Sequence, residues 1–421
     1  MLIIAIGLLL ILVFVTRQSL FPVALVFFFV LFDMFDGFYK DNQLYAAIRY
    51  IVPLTLLLIY LYNKRAFIKS DGIFLILVLY LLLLVIYNPG DVIVSVKTTI
   101  AVIMAFLMIP LGRYLGGQVD FLKDFEKYNR ALLILIPAYI IYANIFNIGR
   151  SYTFDFTTGF LVASRMYLVP ILLFLGIHYI ITNKDRSIYT KLFDAGLIIL
   201  NICILIVITR RTSLGMIVGS LFVYLLLNRK YFFQMLGLVL VLGAALVLSY
   251  PLYKEKLSAQ MANRERIQDI DTYEEEGRYL ETLYLLEYHE KSDDISELLF
   301  GVKLFDTIEF GLKFFGRDRP IHSDINMIFY STGLVGFLLF SVFLIHYFII
   351  GNSKIAPENR KVYYPLLIMF LIILIPGRFI GTFTFAPLLM LLLSAVKYYI
   401  PEDDEEEYQL QSEAQLMRTG I

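Results

Sequence analysis

Residues 72–87 read GIFLILVLYLLLLVIY, a run without a charge, and Asn88-Pro89-Gly90-Asp91 follows at once. Such a run is hidden either in a large core or in lipid, and the rest of the chain decides between them. Apolar runs of about 16–22 residues recur along its whole length, the scale set by a hydrocarbon core of about 30 Å and a helical rise of about 1.5 Å per residue. The chain has 421 residues, is 59% hydrophobic and has a mean hydropathy of +0.75. Soluble domains reach only about 45–50% apolar content. The fold class expected is therefore all-α, a polytopic transmembrane helical bundle of about 13 spans with a large helical extracytoplasmic loop.

Spans are expected near 1–16, 19–38, 44–62, 72–87, 92–112, 130–148, 160–182, 192–209, 212–227, 231–250, 326–350, 362–377 and 382–399. The first run has no basic stretch before it and no small-residue cleavage pattern after it, so it reads as a retained span. Alternate connections collect the basic residues: Arg17, then Lys64, Arg65 and Lys69, then Arg113 and Lys123, then Lys184 and Arg186, then Arg229 and Lys230, then Lys354 and Arg360. By the positive-inside rule these face the cytoplasm. The connections between them, such as 88–91 and 151–158, are poor in Lys and Arg and face outward. This parity sets the N-terminus outside and the C-terminus on the cytoplasmic side. It divides the chain into ten spans over 1–250, an outer loop over 251–325, three spans over 326–400 and an acidic cytoplasmic tail over 401–421.

Lys+Arg and Asp+Glu balance at 36 each, so net charge points to no nucleic acid. The single cysteine, Cys203, lies in an apolar run and excludes an internal disulfide or a Cys-based zinc site. Charge placement is more informative than the sum. Arg49, Lys97 and Arg165 each lie about five residues inside the outer end of a span, roughly 7–8 Å deep, and Arg210, Arg211 and Arg378 sit at outer span ends. A basic residue near mid-membrane costs about 2.5–3.5 kcal/mol, so such residues avoid lipid or gain a partner, and the positive-inside rule disfavours these six on this side. A cluster of guanidinium groups suits phosphate, because Arg offers planar bidentate donors and keeps its proton. The plainer alternative is that Asp33 and Asp36 neutralise Arg49 while Arg210 and Arg211 snorkel to the interface.

The outer loop is too long for a simple connector. Residues 274–290, EEEGRYLETLYLLEYHE, place Tyr279, Leu280, Leu283, Leu286 and Glu287 at helical spacing, the pattern of an amphipathic helix on the membrane surface or over a cavity. Arg278 opens it. Arg317, Arg319 and His322 then arrive together before the next span. His322 is a candidate general base, since imidazole accepts a proton near neutral pH; a surface histidine is the bland alternative, and His289 has weaker context. His178 and His346 lie near cytoplasmic span ends, where packing explains them. The carboxylates Glu274, Glu275, Glu276, Asp293 and Asp294 form unspaced runs that read as solvated loop charge, so no metal site is expected.

Three stretches resemble the bacterial O-antigen polymerase and ligase family of membrane glycosyltransferases. They are Ile208-Thr209-Arg210-Arg211-Thr212-Ser213-Leu214 before an apolar span, Leu298-Leu299-Phe300-Gly301-Val302, and His322-Ser323-Asp324 continuing to Ser331-Thr332-Gly333-Leu334-Val335-Gly336. The resemblance covers roughly residues 160–400. Lys303 departs from the second glycine of the family's GvG pattern, His322 is followed by Ser where ligases show Asn, and with Trp absent the aromatic expected after the loop arginine falls to Tyr284.

The resemblance implies transfer of a glycan from undecaprenyl diphosphate to a sugar hydroxyl in the outer leaflet, with polymerisation of repeat units favoured over ligation to lipid A core. It implies no cofactor, no metal and no nucleotide sugar, and chain-length regulator and flippase proteins as partners. It assigns His322 and Arg278 to catalysis, and Arg210, Arg211, Arg165, Arg317 and Arg319 to the diphosphate. Arg49, Lys97 and Arg378 stand as secondary candidates. A carrier of lipid-linked sugar and a structural scaffold are the readings from other classes; the first would show internal repeats and midplane charge, and the second has no use for Arg49, Arg165 and Arg378 at outer depth.

Overall fold

A backbone in lipid has to satisfy its own N–H and C=O groups, and a helix does this without a partner strand. The structure, a computed structural model, is accordingly helical. It describes residues 2–38, 42–149, 151–153, 156–183, 186–208, 211–233, 277–292, 294–375, 377 and 379–400, with single residues 237, 254 and 258. The elements in chain order are α1 (Leu2–Thr16), α2 (Phe21–Phe35), α3 (Gln43–Asn63), α4 (Gly72–Tyr87), α5 (Val92–Gly116), α6 (Phe121–Ile145), β1 (Ser151–Thr153), β2 (Phe156–Thr157), α7 (Leu168–Thr182), α8 (Ile188–Val207), α9 (Arg211–Leu227), α10 (Gly277–Lys291), α11 (Ile295–Phe300), α12 (Ile308–Phe315), α13 (Asp324–Phe348), α14 (Pro357–Leu374) and α15 (Ala386–Tyr398). Among the described residues, eight helical segments are long and apolar enough to cross a membrane: Gln18–Phe38, Leu44–Asn63, Lys69–Tyr87, Val92–Gly116, Phe121–Ile145, Ser164–Thr182, Ile188–Val207 and Asp324–Lys354. Shorter apolar helices occupy Leu2–Thr16, Thr212–Leu227 and Ala386–Tyr398. The expected span over 231–250 lies outside the described residues except for 231–233 and 237, as does the tail 401–421.

Helices α7 and α15 form the centre, buried along nearly their whole length. Against α15 lies α5, whose Gly112 and Gly116 abut the backbone at Leu391 and Ala395. Small residues four apart let two helix backbones approach closely, and the Ser394 hydroxyl donates to the Ile109 carbonyl at 2.7 Å in the same contact. At the periphery α4 leaves Leu75, Ile76, Leu79, Leu83 and Ile86 exposed, the surface that a lipid solvent requires.

The connections segregate into two sets. In one, Arg113 grips Asp71 through two hydrogen bonds at 2.9 and 2.6 Å, Tyr347 donates to the same carboxylate at 2.7 Å, and Arg130 and Arg186 converge on Asp194 at 2.6 and 2.5 Å. Buried Lys397 donates to the Tyr347 and Ile350 carbonyls at 2.8 and 2.7 Å, a favourable place for a cation at the end of α13. These are the basic connections. In the other set, Asn88–Asp91 docks on 301–306: the Leu304 amide donates to the Asn88 carbonyl at 2.9 Å and the Asp91 amide to Asp306 at 2.9 Å. The connection over 151–158 contains a small antiparallel hairpin, β1 with β2, that the sequence reading lacked.

Helices α10, α11 and α12 make a cap with its own small core of Leu285, Val302, Phe310, Ile321 and Tyr330. The α10 helix forms where expected, and the face that packs inward is not the apolar stripe read from the sequence. Glu281 and Leu285 point inward, and the apolar stripe of Tyr279, Leu283 and Leu286 is the exposed one. Aromatic packing decides this: Tyr284 stacks on Phe314 with ring centroids 5.1 Å apart, and Tyr288 meets Tyr330.

The span expected near 326–350 is present as α13, and within it the helix breaks at Gly333 (φ 64°, ψ −169°), a conformation open essentially to glycine alone. Its counterpart Gly301 (φ 89°) abuts the Ser331–Thr332 backbone, while Gly333 abuts Leu299 and Gly301. Two stretches noted in the sequence thus meet backbone to backbone. Carbonyls at the break are satisfied from outside, Tyr330 by the Val302 amide at 2.9 Å and Thr332 by the Tyr80 hydroxyl at 2.6 Å. Gly333→Ala is expected to cost at least about 1–3 kcal/mol and to lower the Tm in detergent, whereas Gly196→Ala, whose new Cβ would meet open space on α8, leaves it unchanged or raises it. Equal Tm shifts for the two would show that the break is not required.

Candidate functional site

The C-terminal end of α2 carries Asp33, and Asp36 opens the helical turn that continues it, three residues on and therefore on one face. Asp33 is fully buried. It accepts hydrogen bonds from Arg49 of α3 and from the Thr384 hydroxyl, and Arg165 lies 3.7 Å from its second oxygen. Asp36 takes Arg49 at 3.0 Å and Arg165 at 2.6 Å. The Arg49 guanidinium also lies over Phe32, Tyr50 and Phe383 at 5.5–5.7 Å from the ring centroids, and its Nε is buried without a hydrogen-bond partner among the described residues.

Beside this network opens a cavity of about 630 Å³, walled by α2, α3, the 159–165 segment, the cap residues Pro320 and Ile321, and the loop 380–383. A smaller cavity of about 270 Å³ adjoins it, sharing Asp36, Arg49, Arg165 and Gly381 and adding Lys97, Tyr45 and Tyr50. Lys97 has no carboxylate within ion-pair distance among the described residues.

The second cluster lies in the cap, next to the cavity wall. Glu281, 1% exposed, accepts from the Arg319 guanidinium at 2.8 Å, from His322 Nδ1 at 3.0 Å and from the His322 amide at 3.0 Å. Arg319 in turn lies 4.1 Å over the Phe315 ring. A buried carboxylate on Nδ1 fixes the imidazole's orientation and leaves Nε2 to exchange a proton. Burial works against the charge on Glu281, but the bonds from His322 and the nearby Arg319 outweigh it and hold this carboxyl below its ordinary value of 4.5. Two residues on, buried Asp324 accepts the Phe379 and Ile380 amides at 2.7 and 3.1 Å, so the cavity loop is tied to the start of α13. Gly377 passes so near the His322 carbonyl that a side chain there would overlap it.

The structure thus groups Arg49, Arg165 and Lys97 around one cavity, and Arg319 with His322 on one carboxylate. Arg317 is exposed and joins neither group. Arg210 and Arg378 lie outside the described residues, and Arg211 and Arg278 open α9 and α10 with their side chains outside them. Asp33 and Asp36 neutralise Arg49, as the plainer of the two sequence readings has it, and they pair with Arg165 as well. Glu281 and Thr384 are residues of these clusters that the sequence does not single out, and Asp33 and Asp36 are read there only as neutralising partners of Arg49. Glu281 had a signal: it is the carboxylate that shares a helical face with Leu285 and Tyr288. His289 is packed against Phe329, and His178 is hydrogen-bonded to Tyr224 at 3.1 Å.

A carboxyl held below its ordinary value contributes stability above that value and loses it as pH falls through the lowered one. Glu281→Gln is expected to cost about 1–3 kcal/mol at neutral pH. The Tm gap to wild type should hold above about pH 5 and narrow as pH is lowered below 4.5. A gap independent of pH would show that ionised Glu281 is not what holds His322 and Arg319.

No protein-family model, curated protein or solved structure matches the chain.

Proposed function

We propose that this chain is a membrane glycosyltransferase that joins oligosaccharide repeat units carried on undecaprenyl diphosphate, an O-antigen polymerase by the resemblance of its motifs. In this reading it crosses a bacterial cytoplasmic membrane thirteen times, N-terminus outside and C-terminus inside, and works at the outer face. The observation that carries the reading is the Glu281–His322 pair beside the wall of a cation-bearing cavity. A surface histidine has no need of a buried carboxylate on its Nδ1, whereas a general base does.

In the reaction, His322 Nε2 accepts the proton of an acceptor sugar hydroxyl while that oxygen attacks the anomeric carbon of the donor. The bond from that carbon to the diphosphate oxygen breaks, and the diphosphate leaves with the electron pair. Lys97, with Arg165, Arg49 and the arginines 210, 211 and 278, stabilises the charge that develops on it. Glu281 stabilises the imidazolium formed. Ligation to another acceptor would use the same groups. A carrier of lipid-linked sugar is the second reading, favoured by the paired Arg49–Asp33 and Arg165–Asp36 network inside the bundle.

Purified protein incubated with short-chain undecaprenyl-diphosphate repeat units should elongate them. His322→Ala and Arg278→Ala should slow elongation by about 10²–10⁴-fold, and Glu281→Gln by a smaller factor with an altered pH profile. If both alanine variants elongate as fast as wild type, the site is wrongly assigned. Translocation across proteoliposomes without elongation would favour the carrier.

A further inference from the structure

The two carboxylates of the network are not equivalent. Asp33 belongs to regular helix α2, is buried, and holds the Thr384 hydroxyl as well as both arginines. Asp36 opens the short helical turn Asp36–Phe38 after α2, its side chain is 18% exposed, and it lines both cavities. Asp33 is the fixed counter-ion and Asp36 the one with room to withdraw.

Bridging two guanidinium groups at 3.0 and 2.6 Å, the Asp36 carboxylate uses the donors that a phosphate oxygen would use. Charge leads the same way. Three cations, Arg49, Arg165 and Lys97, face two carboxylates around these cavities, and only Lys97 is uncommitted among the described residues. With Asp36 withdrawn, two positive charges are uncompensated, the number carried by a diphosphate diester. Unpaired guanidinium groups in a largely buried site are costly between binding events, and a displaceable carboxylate removes that cost.

We propose that Asp36 is a built-in counter-anion, and that a diphosphate group enters by meeting Lys97 and displacing the Asp36 carboxylate from Arg165 and Arg49. The inference rests on the reading of this cavity as a diphosphate site and adds how its empty form is held. Asp36 therefore opposes binding, and the same device sets selectivity for a ligand with charge enough to compete.

Calorimetric titration of purified protein with inorganic pyrophosphate, and separately with farnesyl diphosphate, tests this without turnover. Asp36→Asn should bind tighter than wild type by about tenfold or more, and Lys97→Ala weaker. Binding of both probes assigns the site to the diphosphate itself, and binding of farnesyl diphosphate alone assigns it to a lipid headgroup; either outcome, with tighter binding by Asp36→Asn, supports the proposal. Unchanged or weaker binding by Asp36→Asn overturns it, as does absence of binding by wild type and variant alike. If Asp36→Asn does not fold, infrared difference spectra of wild type decide: addition of the bound probe should shift a carboxylate band, and no shift overturns the proposal. Elongation without tighter binding by Asp36→Asn would sink this inference and leave the glycosyltransferase reading standing, whereas tighter binding by Asp36→Asn without elongation would do the reverse.

Discussion

A charge inside a lipid-embedded bundle must carry its partner with it, and four buried aspartates, Asp33, Asp71, Asp194 and Asp324, are where this chain meets that constraint among its described residues. Each joins segments far apart in sequence. Asp33 gathers α2, α3, the 163–167 turn and the loop before α15; Asp71 gathers the start of α4 with the ends of α5 and α13. Replacing such a pair by apolar side chains is often neutral for stability, whereas removing one partner leaves a stranded charge. What these pairs supply is register: apolar helices in lipid slide past one another with little penalty, and an ion pair permits one alignment.

The same requirement governs the break in α13. Interrupting a helix frees carbonyls that lipid cannot satisfy, so a break is stable only where other protein groups reach it. Here Tyr80 of a neighbouring span and the Val302 amide of the cap do so. The cap is consequently not an appendage resting on the bundle. Its 299–302 backbone completes the hydrogen bonding of a span, and the span's irregularity gives the cap its seat. Asn88, donating to the Gly301 and Val302 carbonyls, fastens the seat from a second connection.

Properties set by runs of similar residues were legible in the sequence. Apolar length located the helices, because it depends on many residues pointing the same way. Arg49 with Asp33 and Asp36 was legible as a plain neutralising contact. What escaped depends on single contacts between distant residues. The inward face of α10 is chosen by Phe314 and Tyr330, invisible from a window that scores Tyr279, Leu283 and Leu286 as an equally good apolar stripe. Arg165 looked unpaired because its partner lies 129 positions away. The motif glycines 301 and 333 could be noted one by one, but not that each is glycine because of the other.

The segment 319–324 shows how cap and cavity act as one body. Arg319 and His322 are held by Glu281, Pro320 and Ile321 form cavity wall, Ser323 caps α13 by accepting the Asn326 amide at 3.5 Å, and Asp324 holds the amides of Phe379 and Ile380. Ile321 belongs at once to the cap core and to the cavity lining. Six consecutive residues thus connect a buried carboxylate, an imidazole, a wall, a helix start and a loop. With partners fixed on both sides, this segment cannot shift alone. The same run of backbone reaches from Glu281 of α10 through the wall and, by way of Asp324, to the loop that lines the cavity together with Asp36. The imidazole and the cation network, on separate parts of the fold, are therefore connected through this one segment and the loop that Asp324 holds.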